Sequence, residues 1–235
     1  MNPTKTKPIA ESRRKRAAVA ARKIFLVEDH PVYREGLKQL INREKDLTVC
    51  GEAGDYEQAL AGIVRLQPDL AVVDITLPGK SGLELIKKLR AGKHRLKLLV
   101  VSMHDEALYA DRALRAGGNG YIMKQEDPEE IIHAIRDVLG GLIHVSEAVF
   151  RSAGPVVAQA AAAPKTSALD QLSDAELELL ELLGRGLTNQ EIARQLGQEV
   201  QTVGAHSTQI RRKLNLKSAN ALIRYAVCWV ESAKA

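Results

Sequence analysis

Cysteine is scarce in this chain: Cys50 and Cys228 are the only two among 235 residues. They stand far apart in apolar stretches, which excludes a disulfide framework and leads us to expect reduced structural thiols in a cytoplasmic protein. Long unbroken apolar runs are missing too, so no membrane span and no membrane partner are expected. The basic beginning is not followed by an apolar core of the length a secretory signal needs. Outside that beginning there is no excess of positive charge. The chain carries a net +5, but residues 1–23 hold eight Lys or Arg against one Glu, leaving 5 − 7 = −2 for the remainder. Basicity therefore belongs to a tail, residues 1–22, read as a solvated arm. Two phosphate-binding motifs also fail on inspection. Gly79-Lys80-Ser81 resembles the end of a P-loop, but the first glycine of that motif would fall on Asp74; Gly117, Gly118 and Gly120 precede a strand instead of opening a helix.

What is present is a rhythm. With 45% apolar residues, the length suits one large or two ordinary domains. From Ile24 onward, short apolar runs alternate with amphipathic segments through Leu139. The runs are Ile24–Val27, Leu47–Cys50, Leu70–Asp74, Leu98–Val101 and Tyr121–Met123. Five such βα units predict a doubly wound five-stranded parallel sheet. Apolar strands followed by turn chemistry are covered on both faces, so the residues that follow them share the sheet's carboxyl edge, where open α/β sheets bind ligands.

That edge collects chemistry. The first run ends on Glu28 and Asp29, the third on Asp74, the fourth on Ser102 and the fifth on Lys124. Three neighbouring carboxylates repel at about 4 kcal/mol per close pair for an effective dielectric near 20. A hard cation with oxygen ligands relieves this, and Mg²⁺, which keeps waters and takes a phosphoryl oxygen, suits the set. Lys124 adds a point charge and Ser102 a hydroxyl. The group reads as a site in which Asp74 attacks phosphorus. His30, next to Pro31 and without other His or Cys at ligand spacing, reads as a loop residue, and His104 and His133 read as surface or helix-face residues.

LVEDHP (26–31), VVDITLPGKSG (72–82), VVSMHD (100–105) and GYIMK (120–124) resemble the receiver domain of two-component response regulators, a flavodoxin-like fold, over residues 23–145. The resemblance implies that Asp74 accepts a phosphoryl group from a sensor histidine kinase. Glu28, Asp29 and the Thr76 carbonyl would join Asp74 in holding Mg²⁺, and Ser102 and Lys124 would contact the acylphosphate. Tyr121 matches an aromatic position whose ring moves inward on phosphorylation. A phosphatase using Asp74 as an intermediate is the rival reading, but no second catalytic acid or cap insertion accompanies it, so no enzyme is expected beyond slow autophosphatase activity.

Residues 151–168 turn to Ala, Pro and Ser without amphipathic period, and 146–168 is read as a linker. Beyond it, Ser173-Asp174-Ala175-Glu176 and Thr188-Asn189-Gln190-Glu191 are capping boxes, each cap worth about 1 kcal/mol. They open two helices that end at glycines. Two more helices are expected over Val200–Leu214 and Ala219–Val230, making residues 169–235 a small all-α domain with a helix-turn-helix arrangement. LSDAELELLELLGRGLTNQEIARQL, with IRRKLNLKS further on, resembles the LuxR-type output domain of the NarL/FixJ class. The resemblance implies promoter DNA as a partner, commonly with homodimerisation on phosphorylation. Gln201, Thr202, Ala205, Thr208, Gln209, Arg211, Arg212, Lys213 and Lys217 are the candidate contacts. Glu199 stands where Ser often caps the recognition helix, and Gly204 lies within it. Residue 169 onward holds eight basic and eight acidic residues, which leaves open a domain that acts by protein contact.

Overall fold

The computed structural model describes residues 20–149, apart from 93, 95 and 148, and residues 168–232. Most of the basic tail and of the Ala/Pro-rich linker lies outside the described residues.

In the first domain the strands are β1 (Arg22–Val27), β2 (Leu47–Ala53), β3 (Leu70–Val73), β4 (Lys97–Ser102) and β5 (Gly120–Met123). The helices are α1 (Pro31–Asn42), α2 (Tyr56–Leu66), α3 (Gly82–Ala91), α4 (Glu106–Arg115) and α5 (Pro128–Gly140). All neighbours pair in parallel, in the order β2-β1-β3-β4-β5. Alternation along each strand splits the core into two layers. Ile24, Leu26, Leu70, Val72, Leu99 and Val101 face Leu37, Ile41, Ile131 and Ile135 of α1 and α5. Phe25, Val27, Ala71, Val73, Leu98 and Val100 face α2, α3 and α4. Both layers are buried, and the strands have little freedom to slip in register. Val27 pairs with Val73 and Val73 with Val100, so the residues that follow these strands come out side by side.

The second domain begins with a 3₁₀ turn (Ala168–Gln171) and continues with α6 (Asp174–Gly184), α7 (Asn189–Gln195), α8 (Val200–Lys213) and α9 (Ala219–Ser232). Both expected capping boxes are formed in full. Glu199 takes the N-cap of α8 without a side-chain bond to it, so that helix starts with an orphan amide its siblings lack. Gly184 lets α6 meet α9, because a Cβ there would stand 2.5 Å from the Ala226 carbonyl. Leu177, Leu180, Ile192, Val203, Ile210, Leu222 and Ala226 form the core of this domain, continuous with the α4 side of the first. Cys228, expected in apolar surroundings, lies instead on the exposed side of α9, while Cys50 is half-buried in β2.

Candidate functional site

The sheet's carboxyl edge carries the cluster that the strand ends predict. β1 runs directly into Glu28 and β3 into Asp74, and both acids are 3% exposed. The Asp74 amide donates to the Val27 carbonyl at 2.9 Å, so the sheet ladder itself fixes the backbone of Asp74. Behind it, Gly82 opens α3 in close contact: a Cβ there would lie 1.9 Å from the Asp74 carbonyl oxygen. Only glycine lets α3 start beneath this residue.

Lys124 follows β5 and reaches across the edge, its Nζ 2.6 Å from Glu28 Oε2 and 2.9 Å from Asp74 Oδ2. It also lies 4.7 Å from the Tyr33 ring centroid, a cation–π contact. One ammonium thus offsets two buried carboxylates. Burial pushes the Asp74 carboxyl up to about 6, with Lys124 opposing and Glu28 reinforcing the shift. Burial also works against the charged Lys124, but its two carboxylate partners outweigh it and leave the ammonium above its ordinary range. The Tyr33 hydroxyl is driven up by burial and then by Glu28 and Asp74.

Glu28, Asp29, His30 and Asp74 each offer one ligand atom, all within 4.8 Å of one another. Asp29 Oδ1 is buried with no hydrogen-bond partner; His30 Nδ1 lies 2.8 Å away, without hydrogen-bond geometry. A shielded orphan oxygen beside two carboxylates is a donor set a hard divalent cation fits. His30 is the exposed N-cap of α1, as its loop reading implies, though its ring sits closer to the acids than the sequence suggested.

Ser102 is fully buried at the end of β4, and its Oγ accepts the His104 amide at 3.3 Å. Tyr121 is fully buried as well, with its hydroxyl donating to the His104 carbonyl at 2.8 Å; its ring already occupies the inward position. Thr76 N donates to Asp74 Oδ1 at 3.3 Å. The reading of His104 as a surface or helix-face residue is wrong, because it precedes the N-cap of α4 and its side chain is only 12% exposed. It stacks on Tyr109 at 4.4 Å between ring centroids and lies between Thr76 Oγ1 at 3.1 Å and Glu181 Oε2 at 2.9 Å. A loop histidine and the outer acids of a capped amphipathic helix gave no periodic signal of this contact.

In the second domain Gln201, Thr202, Ala205, Thr208, Gln209, Arg212 and Lys217 are exposed, with Arg211 half-buried. The buried Val203 and Ile210 anchor the opposite side of α8. Lys213 differs: its Nζ is 2.5 Å from Glu176 Oε2, tying α8 to α6. Its partner is a capping-box residue that the first helix had already buried.

The family profile described as a response regulator receiver domain matches residues 24–136, and that of bacterial regulatory proteins of the luxR family matches residues 170–226. The nitrate/nitrite response regulator NarL of Escherichia coli K12 is 36% identical over 200 residues, covering 83% of this chain and 90% of that protein. The oxygen regulatory protein NreC of Staphylococcus carnosus is 35% identical over 209 residues, covering 87% and 96%. Among solved structures, a LuxR-family two-component response regulator from Aurantimonas sp. SI85-9A1 covers 56% of this chain and 94% of its own at 35% identity and a TM-score of 0.54. An RcsB–DNA complex shares the fold over 87% of this chain and 97% of its own, at 22% identity and a TM-score of 0.53. A receiver followed by a LuxR-type module defines a signal-dependent transcription factor. The chain belongs to the NarL-type two-component response regulators, which regulate transcription in dependence on phosphorylation. Histidine kinases and DNA are the partners such domains imply, and Mg²⁺ is the ion receivers of this kind bind at their acidic cluster.

Proposed function

We propose that Asp74 is the phosphoacceptor and that Lys124, bridging it to Glu28, is the observation that carries this reading. Nucleophilic catalysis needs a carboxylate held in a dry, oriented setting, and the buried Asp74 beside a fixed ammonium answers it. In the reaction a carboxylate oxygen of Asp74 forms a bond to phosphorus of the kinase's phosphohistidine. The P–N bond breaks, and the imidazole leaves with its electron pair and takes up a proton. Glu28, Asp29, Asp74 and the Thr76 carbonyl would hold Mg²⁺, which when bound spreads the charge on the transferring group. Lys124 then turns from the carboxylates toward the acylphosphate, and Ser102 supplies a hydroxyl hydrogen bond. Tyr121, held inward by the His104 carbonyl, keeps the β4–α4 loop in place. The chain turns over no separate substrate beyond slow loss of its own phosphate.

The DNA half of the reading places α8 in the major groove, with Gln201 and Gln209 suited to adenine edges. Arg211, Arg212 and Lys217 suit phosphates, and two copies on DNA would form the working dimer. Lys213 joins them only if it leaves Glu176. The setting is the cytoplasm, where kinase and promoter meet; among the described residues no helix is long and apolar enough to cross a membrane. The test is labelling by a phosphorylated kinase with Mg²⁺, read on a phosphate-affinity gel. A shifted band is expected for wild type and none for Asp74→Asn; a shift that survives that substitution overturns the assignment.

A further inference from the structure

Two buried oxygens of the acidic cluster have no hydrogen-bond partner among the described residues: Asp29 Oδ1 and the Tyr33 hydroxyl. They call for opposite ligands. A carboxylate oxygen only accepts and is answered by a cation, whereas a phenol donates one hydrogen bond and needs an oxygen to receive it. Tyr33 stands in the first turn of α1, two residues after Pro31. Its ring packs against the core layer that faces α1 and α5, and the ring centroid lies 4.7 Å from Lys124 Nζ. The same ammonium is 2.6 Å from Glu28 Oε2 and 2.9 Å from Asp74 Oδ2, so the tyrosine belongs to the cluster without being hydrogen-bonded in it. Packing accounts for the ring but not for the hydroxyl. An apolar side chain would fill that place without burying an unpaired polar atom, which costs stability. Burial, and after it the charges of Glu28 and Asp74, press the proton onto the phenol oxygen.

We propose that Tyr33 is a further phosphoryl-contacting residue: its hydroxyl donates a hydrogen bond to an oxygen of the phosphoryl group on Asp74, while its ring holds Lys124 over the cluster. This rests on Asp74 being the phosphoacceptor. In the unmodified protein the carboxylate oxygens nearest the ring, Glu28 Oε2 and Asp74 Oδ2, are engaged by Lys124, and the phenol is left without an acceptor. A phosphoryl group brings three strong acceptor oxygens to that place. Lys124 and Ser102 serve some of them, and Tyr33 offers a donor that folding has already stripped of water, so its bond forms without further desolvation. Hydrogen bonds to an ionised acceptor are the stronger kind. Tyr33 therefore favours the modified site over the unmodified one, in which its hydroxyl goes unused.

The experiment uses the full chain as wild type, Tyr33→Phe and Asp74→Asn. Beryllofluoride with saturating Mg²⁺ is the phosphoryl probe, read by fluorine NMR; Mg²⁺ alone is titrated by calorimetry, and the unliganded proteins are melted. Tyr33→Phe keeps the ring and its contact with Lys124 and removes only the hydroxyl. It is expected to melt at or slightly above wild type, because an unpaired buried atom is gone. It is also expected to bind beryllofluoride about tenfold more weakly, the loss of one charge-assisted hydrogen bond, with its affinity for Mg²⁺ alone unchanged. Weaker binding without loss of stability cannot come from a hydroxyl that serves the fold. Equal beryllofluoride affinity overturns the proposal. So does a matching loss of affinity for Mg²⁺ alone, which assigns the hydroxyl to a metal-held water, and so does a lowered melting temperature, which assigns it to the fold. In all three cases the acceptor stands as long as Asp74→Asn fails to bind the probe. If Asp74→Asn binds beryllofluoride as wild type does, Asp74 is not the acceptor, and the role of Tyr33 falls with it.

Discussion

Lys124 lies beside two carboxylates that the fold has removed from water. Deleting one partner of a buried pair leaves the others uncompensated, at a cost of about 3–5 kcal/mol. Lys124→Met is therefore expected to lower the chemical-denaturation midpoint of the metal-free protein sharply, and millimolar Mg²⁺ is expected to recover part of the loss; a variant as stable as wild type without Mg²⁺ would show the cluster to be hydrated. Arg136 offers a contrast on the surface, where it pairs with Glu44 and Asp46. Its guanidinium, chiefly through a side-chain hydrogen bond, holds the Asp46 carboxyl below its ordinary value of 3.8. A depressed acid contributes stability above its unfolded pKa and loses it as pH falls through the folded one. Arg136→Gln is thus expected to cost less than about 1 kcal/mol near neutrality, and the difference from wild type should vanish in melts run well below pH 4. The acidic residues of the site were legible because each ends an apolar strand. His104, Glu178 and Glu181 were not, because a contact between residues 77 positions apart leaves no periodic trace in either segment.

Every strand and helix centre follows from apolar spacing, and the differences lie at the ends. One of those ends is set by glycine. Gly82 opens α3 against the Asp74 carbonyl, where a Cβ has no room. Gly82→Ala is expected to cost about 1–3 kcal/mol, the range for overpacking, and, on the proposed role of Asp74, to slow phosphorylation by shifting the Asp74 backbone. A thermal melt and a phosphate-affinity gel read the two effects separately. Gly204 is the opposite case, since nothing lies within 4 Å of the position its Cβ would take. Its flexibility in the middle of α8 has no packing reason, and Gly204→Ala is expected to stabilise the output domain by about 1 kcal/mol. The sequence marks both glycines alike; only the neighbours brought in by folding separate the one that is required from the one that is tolerated.

Charge is distributed unevenly over the chain, and binding to DNA should reflect that. The output domain holds as many acids as bases, and Lys213 is engaged by Glu176. Specific binding is therefore expected to depend on few phosphate contacts. Replacing Arg212 or Lys217 with Ala should weaken binding to all sequences alike and reduce the salt slope by about one unit each. Replacing Gln201 or Gln209 should instead narrow the gap between specific and scrambled DNA. Filter binding across a salt series distinguishes the two. The division into two domains was visible in the Ala/Pro-rich composition between them, but how they meet was not, since that composition says where contacts stop and nothing about which surfaces find each other.

α6 is at once the piece that touches the receiver and the piece around which α8 and α9 are packed. It cannot peel away alone without breaking the core formed by Leu177, Leu180, Val203 and Ala226. Any movement of α6 relative to the receiver would therefore carry α8 and α9 with it as one body and leave the exposed face of α8 unchanged in shape.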